Sequence, residues 1–464
     1  MKLLDLPAEV VVEALKHTVV AAGFGRAFRL RLVCKIFDVE VLRAIFTTRV
    51  IEDYPCGIKP HSGAEIIISR YLESRSLANF QNSNKLTAAL RRAAETLAFE
   101  DGICNQHTWE KNIRALSQAA TIHCSPEMVL RLLESKEDGN STRNEDEIMK
   151  SVLNVESERD VFAGAAYTGN IVKVREILAS SRDAQRESKF FGHPLQRACS
   201  GGHKDIVVQL LEQGANISYG KTGLRDAPKG LHPSDFGSSL QSACLAGHEN
   251  IVRLLLEPKY EIRKSHSVFR IAALQAARGG HLNILILLLE EATPGAMRIR
   301  SLLSEASKCG QLHVVRTILE KEYFLEPYLP SVLYRSLYEA ASRGYHEIVR
   351  LLLTQSATIK YGDLWRPFHA ASRHGHERVV RLILEHGAET NGWPNILMPA
   401  TSRGQAHIVT FLLESQADLN LVEGSAKAVD ALKLARYNGY ESVVRILINH
   451  GVRKDEASDE TSPQ

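Results

Sequence analysis

Nine glycines recur at near-regular intervals through most of the chain. Their spacings are 33, 45, 33, 30, 34, 31, 29 and 35 residues, and the glycines are Gly169, Gly202, Gly247, Gly280, Gly310, Gly344, Gly375, Gly404 and Gly439. An alanine lies four residues before these glycines, and aliphatic pairs follow them at four and five and at eight and nine residues. Units with periods of about 20 to 50 residues stack, because each buries its apolar face against its neighbours. The pattern predicts an array whose function lies on a long surface.

Each repeat is predicted to form two short helices with the glycine between them. Apolar residues recur at spacings of three and four, the period of one helix face. Pro194 and Pro367 stand at the predicted start of a first helix, where the missing N–H costs nothing. Capping side chains are predicted just before other first helices. They are Asp160, Ser238, Ser301, Asn395 and Asp430.

The repeat resembles the ankyrin repeat. Residues 194–199 (PLQRAC) and 367–372 (PFHAAS), each followed by Gly-His, are similar to that family's TPLHxAAxxGH signature, and residues 210–215 (LLEQGA) and 384–388 (LEHGA) are similar to its LLLExGA ending. The resemblance covers residues 160–451 and implies about nine repeats in an all-α solenoid with short β-hairpin tips, which binds other proteins along a concave face. Two departures stand out: Gln311 replaces the usual histidine, and the 45-residue spacing predicts an insertion within residues 216–239.

Other segments flank the repeats. Residues 1–50 are predicted to form a small helical segment, and residues 51–133 a set of amphipathic helices. Residues 117–133 keep nearly the repeat's apolar offsets, but Cys124 stands where the glycine should be, so a degenerate repeat and a cap both fit. Residues 134–159 are predicted to be an acidic linker, and the polar residues 452–464 a disordered tail.

The N-terminal segment resembles an F-box. Residues 6–10 (LPAEV) and 28–37 (FRLRLVCKIF) are similar to that family's LPxE and LRLVCRxW motifs, although Phe37 replaces the tryptophan and Gly23-Phe24-Gly25 interrupts the middle. The resemblance implies docking on the S-phase-kinase-associated adaptor of a cullin-RING ubiquitin ligase, with the array selecting substrates. The implied docking residues are Leu6, Pro7, Leu32 and Val33. The alternative is a helical cap that covers the apolar start of the solenoid.

A second class of function also fits. The array is similar to ankyrin proteins of filamentous fungi that hold a transcription factor in the regulation of secondary metabolism, as a scaffold or transcription co-regulator. Both classes are protein-binding proteins of the cytoplasm and/or nucleus. Acidic residues interrupt the apolar N-terminus, no run of about 18 apolar residues occurs, and the seven cysteines form no CxxC pair. We therefore expect an intracellular protein that does not span a membrane and keeps its thiols reduced.

Catalysis and cofactor binding are not expected. Gly220-Lys221-Thr222 follows Gly214, but five residues separate the two glycines where a phosphate-binding loop needs four. The histidines after the turn glycines lie on different repeats and cannot converge on one metal ion. A formal net charge of +3 does not indicate direct nucleic-acid binding. The chain is predicted to be a non-enzyme without cofactor or metal.

Five successive repeats carry a cation at one of the two positions before the turn glycine. These cations are Arg278, Lys308, Arg343, Arg373 and Arg403. The end of the first helix is expected to face the concave side, so the pattern predicts a basic stripe with little nearby compensation. Such a stripe would attract an acidic segment of a client protein in a salt-dependent manner. The alternative interpretation is a set of solvated helix ends.

Overall fold

The computed structural model describes residues 11–20, 35–48, 51, 64–78, 84–100, 103–124, 126–134, 146–181, 183–215, 239–260, 266–292, 299–320, 329–355, 364–386, 393, 395–415 and 426–452. The chain divides into a first unit, residues 1–262, and a second unit, residues 263–464. Almost all of the described secondary structure is helical, which confirms the predicted all-α class. None of the described helices combines the length and apolar character needed to cross a bilayer.

In the described residues, six helices precede the repeat that contains Gly169. They are α1 (11–20), α2 (Lys35–Thr48), α3 (Ala64–Leu77), α4 (Lys85–Ala98), α5 (Gln106–His123) and α6 (Pro126–Glu134). Strands β1 (Phe99–Glu100) and β2 (Ile103–Cys104) form a short antiparallel hairpin between α4 and α5. Helix α4 starts at the Asn84 cap, whose side chain accepts a hydrogen bond from the Thr87 N–H at 2.9 Å. Helices α3 and α4 pack on α5 around the buried side chains of Tyr71, Leu90 and Leu116.

Nine helix pairs follow in the described residues, one around each turn glycine. In the first unit they are α7 (Asp146–Thr168) with α8 (Ile171–Ser181), α9 (Pro194–Gly201) with α10 (Lys204–Glu212), and α11 (Ser239–Ala246) with α12 (Glu249–Leu255). In the second unit they are α13 (His266–Gly279) with α14 (Leu282–Glu291), α15 (Ile299–Lys308) with α16 (Leu312–Glu320), α17 (Leu329–Ala341) with α18 (His346–Gln355), α19 (Trp365–His374) with α20 (Glu377–Glu385), α21 (Met398–Thr401) with α22 (Ala406–Glu414), and α23 (Ala426–Tyr437) with α24 (Glu441–Asn449).

Within each unit the helices form two layers. First helices pack on the first helices of neighbouring repeats, as α9 does on α7 and α11, and α15 does on α13 and α17. Second helices do the same, as α18 does on α16 and α20. The alanines four residues before the glycines, such as Ala276, Ala306 and Ala340, are fully buried. Their small side chains let neighbouring helices approach closely, which accounts for their place in the repeat.

The turn between the two helices is set by the glycine. All nine turn glycines have positive φ, between 66° and 84°, a region that side-chain-bearing residues rarely adopt. At the second repeat, the Ala198 carbonyl accepts hydrogen bonds from the N–H groups of both Gly202 and His203, at 3.0 and 3.1 Å. This bonding ends the first helix and starts the second two residues later. The predicted helix–turn–helix unit is therefore present.

Helix starts differ from several predictions. Three of the predicted caps lie inside helices α7, α15 and α23 and were wrong: Asp160, Ser301 and Asp430. These helices begin before the predicted cap, because the chain preceding it is also helical. Asn395 does precede α21, and its side chain accepts the Leu397 N–H at 3.1 Å. Pro194 opens α9 as predicted, whereas Pro367 is the third residue of α19. Ser238 lies outside the described residues.

The loops between repeats are described in part. Ser188 and Gly192 form an antiparallel bridge with N–H···O distances of 3.1 and 2.9 Å, a short hairpin at the tip between α8 and α9. The predicted insertion within 216–239, which includes Gly220-Lys221-Thr222, lies almost wholly outside the described residues. Helix α7 begins at Asp146, so a helix occupies the second half of the segment 134–159.

Candidate functional site

A ladder of hydrogen bonds joins successive turns. In five repeats, the side chain of the residue after the turn glycine donates a hydrogen bond to a backbone carbonyl of the preceding repeat. That carbonyl belongs to the residue two positions before the turn glycine of the preceding repeat. The distances are 3.0 Å for His203 to Tyr167, 3.1 Å for His248 to Ser200, 3.0 Å for Gln311 to Arg278, 3.2 Å for His376 to Ser342 and 3.3 Å for Gln405 to Arg373. We call His203, His248, Gln311, His376 and Gln405 the turn ladder. A carbonyl only accepts, so each ladder histidine carries a proton on Nε2.

The turn ladder gives these histidines a structural role. Burial lowers the pKa of His376, although its bond to the Ser342 carbonyl opposes that shift. Gln311 departs from the family pattern, yet its amide makes the same inter-repeat bond as a histidine. Tyr345 and Tyr440 instead place their rings against Gly310 and Gly404. Within the described part of the chain, no group of three or more His, Cys, Asp or Glu residues could hold a metal ion.

The turn ladder predicts that the stability of the fold depends on the hydrogen bond made at position 311, and much less on which residue type donates it. We expect Gln311→Leu to lower the free energy of unfolding by about 1 kcal/mol, because the Arg278 carbonyl loses its donor. Gln311→His should stay within about 0.5 kcal/mol of the wild type, since the imidazole N–H can replace the amide. Urea denaturation of both variants measures this difference. Equal stability of the two variants would contradict a role for the bond.

The predicted basic stripe occupies two registers rather than one. Arg278, Lys308 and Arg373 lie two residues before a turn glycine, whereas Arg343 and Arg403 lie one residue before it. The prediction of little nearby compensation was wrong at two positions. The Lys308 ammonium lies 3.5 Å from the Glu305 carboxylate, and the Arg343 guanidinium lies 2.7 Å from Glu339. Glu305 lies three residues before Lys308 on α15, and Glu339 lies four residues before Arg343, which follows the end of α17, so each carboxylate is within reach of its cation.

Charge is divided between the two helix layers of the second unit. Its described first helices carry ten cations: Arg270, Arg278, Arg300, Lys308, Arg335, Arg366, Arg373, Lys427, Lys433 and Arg436. They carry three acids: Glu305, Glu339 and Asp430. The second helices carry five cations against eight acids. We call the surface formed by these first helices, with the turn residues Arg343 and Arg403, the basic layer.

An aromatic cluster interrupts the basic layer at α19. The Trp365 ring lies 5.6 Å from Trp393 and 5.5 Å from His369, and Phe368 lies 5.0 Å from Trp393, measured between ring centres. Trp365, His369 and Arg373 are spaced four residues apart, so they follow one face of the helix, and all three are partly exposed. Burial, and then the nearby Arg373 charge, lower the pKa of His369. An uncharged aromatic surface therefore lies directly beside a cation.

A polar cleft of about 410 Å³ lies in the first unit, between the end of α5, helix α7 and the hairpin before α9. His123, Arg159 and Lys189 line it together with acids, so its charge is mixed. Asp160 on its wall is buried and accepts a hydrogen bond from the Ser188 hydroxyl at 2.6 Å. The nearby Cys124 thiol has a pKa raised to about 11 by burial, which keeps it protonated and weakly nucleophilic at neutral pH.

The repeated turn geometry agrees with the sequence comparisons. Residues 162–266 and 333–392 match the family described as ankyrin repeats (3 copies). These two segments of the chain are therefore similar to ankyrin repeats. A mouse protein named "Ankyrin repeat, SAM and basic leucine zipper domain-containing protein 1" is 34% identical over 76 residues. That match covers 16% of this chain and spans 16% of the relative's length. Ankyrin repeats indicate a protein–protein interaction domain.

The predicted F-box-like docking residues are not part of the described site. Leu6, Pro7, Leu32 and Val33 lie outside the described residues. The neighbouring helices α1 and α2 are described. Helix α1 buries Val11, Leu15 and Val19, which are spaced four residues apart, and helix α2 buries Val41, Ala44 and Ile45. The described side chains of α1 (11–20) and of the second part of α2 (40–48) are therefore buried on one face of each helix.

Proposed function

We propose that this protein is a non-catalytic adaptor, which captures a client protein on its ankyrin repeats and presents it to a cullin-RING ubiquitin ligase. The observation that supports client capture is the regular stack of helix pairs within each unit, which the turn ladder holds in register. Such a stack offers a preorganised surface, and preorganisation reduces the entropic cost of binding. We place this activity in the cytoplasm and/or nucleus.

The ligase half of the proposal rests on the N-terminal motif. Its docking residues Leu6, Pro7, Leu32 and Val33 come before and after α1, and the second motif ends within α2. The exposed described residues of α1 and α2 are mainly polar, among them Glu13, His17 and Arg43. The apolar contact with the partner would therefore come from the four motif residues.

The packing of α2 against α3 favours a second candidate. In that alternative the N-terminal segment is a cap on the helices that follow, and the array serves as a scaffold or transcription co-regulator that holds a transcription factor. The two candidates require opposite behaviour of the same residues. Docking leaves the motif face free, whereas capping buries it in the folded chain.

The double substitution Leu6→Ala with Leu32→Asp separates the two. If docking is correct, it should abolish co-purification of the ligase adaptor and leave the melting temperature unchanged, because a charge in an apolar interface is costly only in the complex. If capping is correct, the same change should lower the melting temperature and increase binding of a dye that reports exposed apolar surface.

Thr47→Asp provides the matched control, since Thr47 is exposed on α2 and lies outside the motif. It should change neither adaptor recovery nor melting temperature. Mass spectrometry of the same pull-downs identifies the partners. Wild-type protein that recovers transcription factors and never the ligase adaptor would overturn the ligase half and establish the co-regulator class.

A further inference from the structure

We infer that the client binds the basic layer of the second unit through an acidic segment in extended conformation, with an apolar side chain of that segment seated on Trp365. This inference rests on the proposed client-binding function and deepens it by naming the partner's chemistry. It is supported by three independent observations: the division of charge between helix layers, the spacing of exposed cations, and the aromatic cluster on α19.

The division of charge selects one surface over the other. Among the described helices of the second unit, the first helices carry ten cations and three acids, whereas the second helices carry five cations and eight acids. Two of the three acids, Glu305 and Glu339, are already paired with Lys308 and Arg343. An acidic segment would therefore be attracted to the basic layer and repelled by the opposite one.

The exposed cations set the expected spacing of the partner's carboxylates. Arg300, Arg335 and Arg366 lie ten, nine and nine residues before the turn glycines of three successive repeats and are exposed. Axes of packed helices are about 9 Å apart, and an extended chain advances about 3.3 Å per residue. A segment that crosses the helices would therefore meet one such cation about every three residues. Carboxylates at every third position fit this surface.

The aromatic cluster supplies an anchor beside those cations. Trp365 is partly exposed and is supported from behind by the buried rings of Phe368 and Trp393. Arg373 lies two turns further along the same helix face. Partly exposed tryptophan on a rigid support is a common energetic centre of protein interfaces. Two helical turns rise about 11 Å, so a segment with an apolar side chain on Trp365 would reach Arg373 with a carboxylate about three residues away.

A protein segment fits this surface better than nucleic acid does. Glu305 and Glu339 stand beside Lys308 and Arg343, so a continuous row of phosphates would meet both signs of charge along the layer. An acidic peptide can place neutral residues opposite those carboxylates. Phosphate chains cannot, because every nucleotide carries a charge.

Fluorescence anisotropy with the full chain tests the inference. The probe is a labelled 15-residue peptide with Glu at every third position and one Trp, and its matched control has Gln in place of Glu. We expect the Glu peptide to bind, and its affinity to fall with salt. Arg335→Glu with Arg366→Glu and Arg373→Glu should weaken binding roughly tenfold or more at low salt. Trp365→Ala should weaken both peptides by a factor that salt does not change.

The control is the same charge change on the second helices. Arg316, Arg378 and Arg445 are exposed there, and their combined substitution by Glu should weaken binding less than about threefold. Circular dichroism melting must show all variants folded. Equal weakening by both triple variants would overturn the inference, since net charge rather than the basic layer would then drive binding. Tighter binding of a single-stranded oligonucleotide of equal charge would also overturn it.

Client pull-downs distinguish failure of this inference from failure of the proposed function. If the triple variant of the basic layer captures clients as well as the wild type does, the inference is wrong and the adaptor function stands. If peptide binding follows the expected pattern but no protein client is recovered with the wild type, the adaptor function is wrong and the acidic-segment site stands.

Discussion

Gly280→Val and Gly375→Val should each lower the free energy of unfolding by about 3 kcal/mol. The two glycines have φ of 80° and 82°, and a β-branched residue is strained in that region. A side chain there would also collide with the turn ladder. A Cβ on Gly375 would lie 2.7 Å from the Gln405 amide oxygen, and one on Gly280 would overlap the Gln311 amide. The displaced amide then loses its bond to the neighbouring repeat.

Gly439→Val separates backbone strain from crowding. Gly439 has φ of 70°, but a Cβ there would meet no heavy atom within 4 Å. We expect this variant to lose about 1–2 kcal/mol, from strain alone. Urea denaturation of all three variants measures the difference. Wild-type midpoints for Gly280→Val and Gly375→Val would contradict the turn geometry. A loss at Gly439 as large as at the other two would show that ladder contacts add nothing.

The turn register could be predicted because it depends on local residues. Glycine allows positive φ by itself, and the alanine four residues earlier allows close helix packing by its size. The ladder bonds could not be predicted in the same way, because each joins residues 32 to 48 positions apart. One signal was present. The residue after the glycine is His, Gln or Tyr in eight of nine repeats, a set of flat side chains with hydrogen-bonding groups.

The errors in the predicted site also have physical causes. The pairing of Lys308 with Glu305, and of Arg343 with Glu339, could have been read from their spacings of three and four. The predicted caps Asp160, Ser301 and Asp430 were wrong because a capping side chain also fits inside a helix when packing extends the helix past it. The contact between Trp365 and Trp393 crosses between repeats, so only the fold brings these rings together.

Acidification should destabilise the first unit through His123. The ring packs against Gly192 near the buried Arg197. It is partly exposed, yet burial is the main cause that lowers its pKa to about 4, and the Arg197 charge adds to the shift. Glu187 opposes the shift, while His193 supports it. The neutral imidazole is therefore the form that the folded state favours.

The direction of the pH effect follows from proton uptake. Unfolded His123 should titrate near its ordinary pKa of 6.5, so between about pH 6.5 and 4 the unfolded chain binds a proton that the folded chain does not. The His123 contribution to stability is complete above about pH 6.5 and is lost as the pH falls towards 4. Each pH unit within that window costs up to about 1.4 kcal/mol, so the total loss is about 3 kcal/mol.

Urea denaturation at several pH values between 4 and 7.5 measures this loss. Replacing Trp365 and Trp393 by Phe leaves Trp109, on the same helix as His123, as the fluorescent reporter of the first unit. His123→Gln should remove most of the pH dependence in that window, since glutamine does not titrate. His107→Gln, at the exposed start of α5, is the control and should retain the pH dependence of the wild type. An unchanged pH dependence in His123→Gln would show that other groups cause the acid destabilisation.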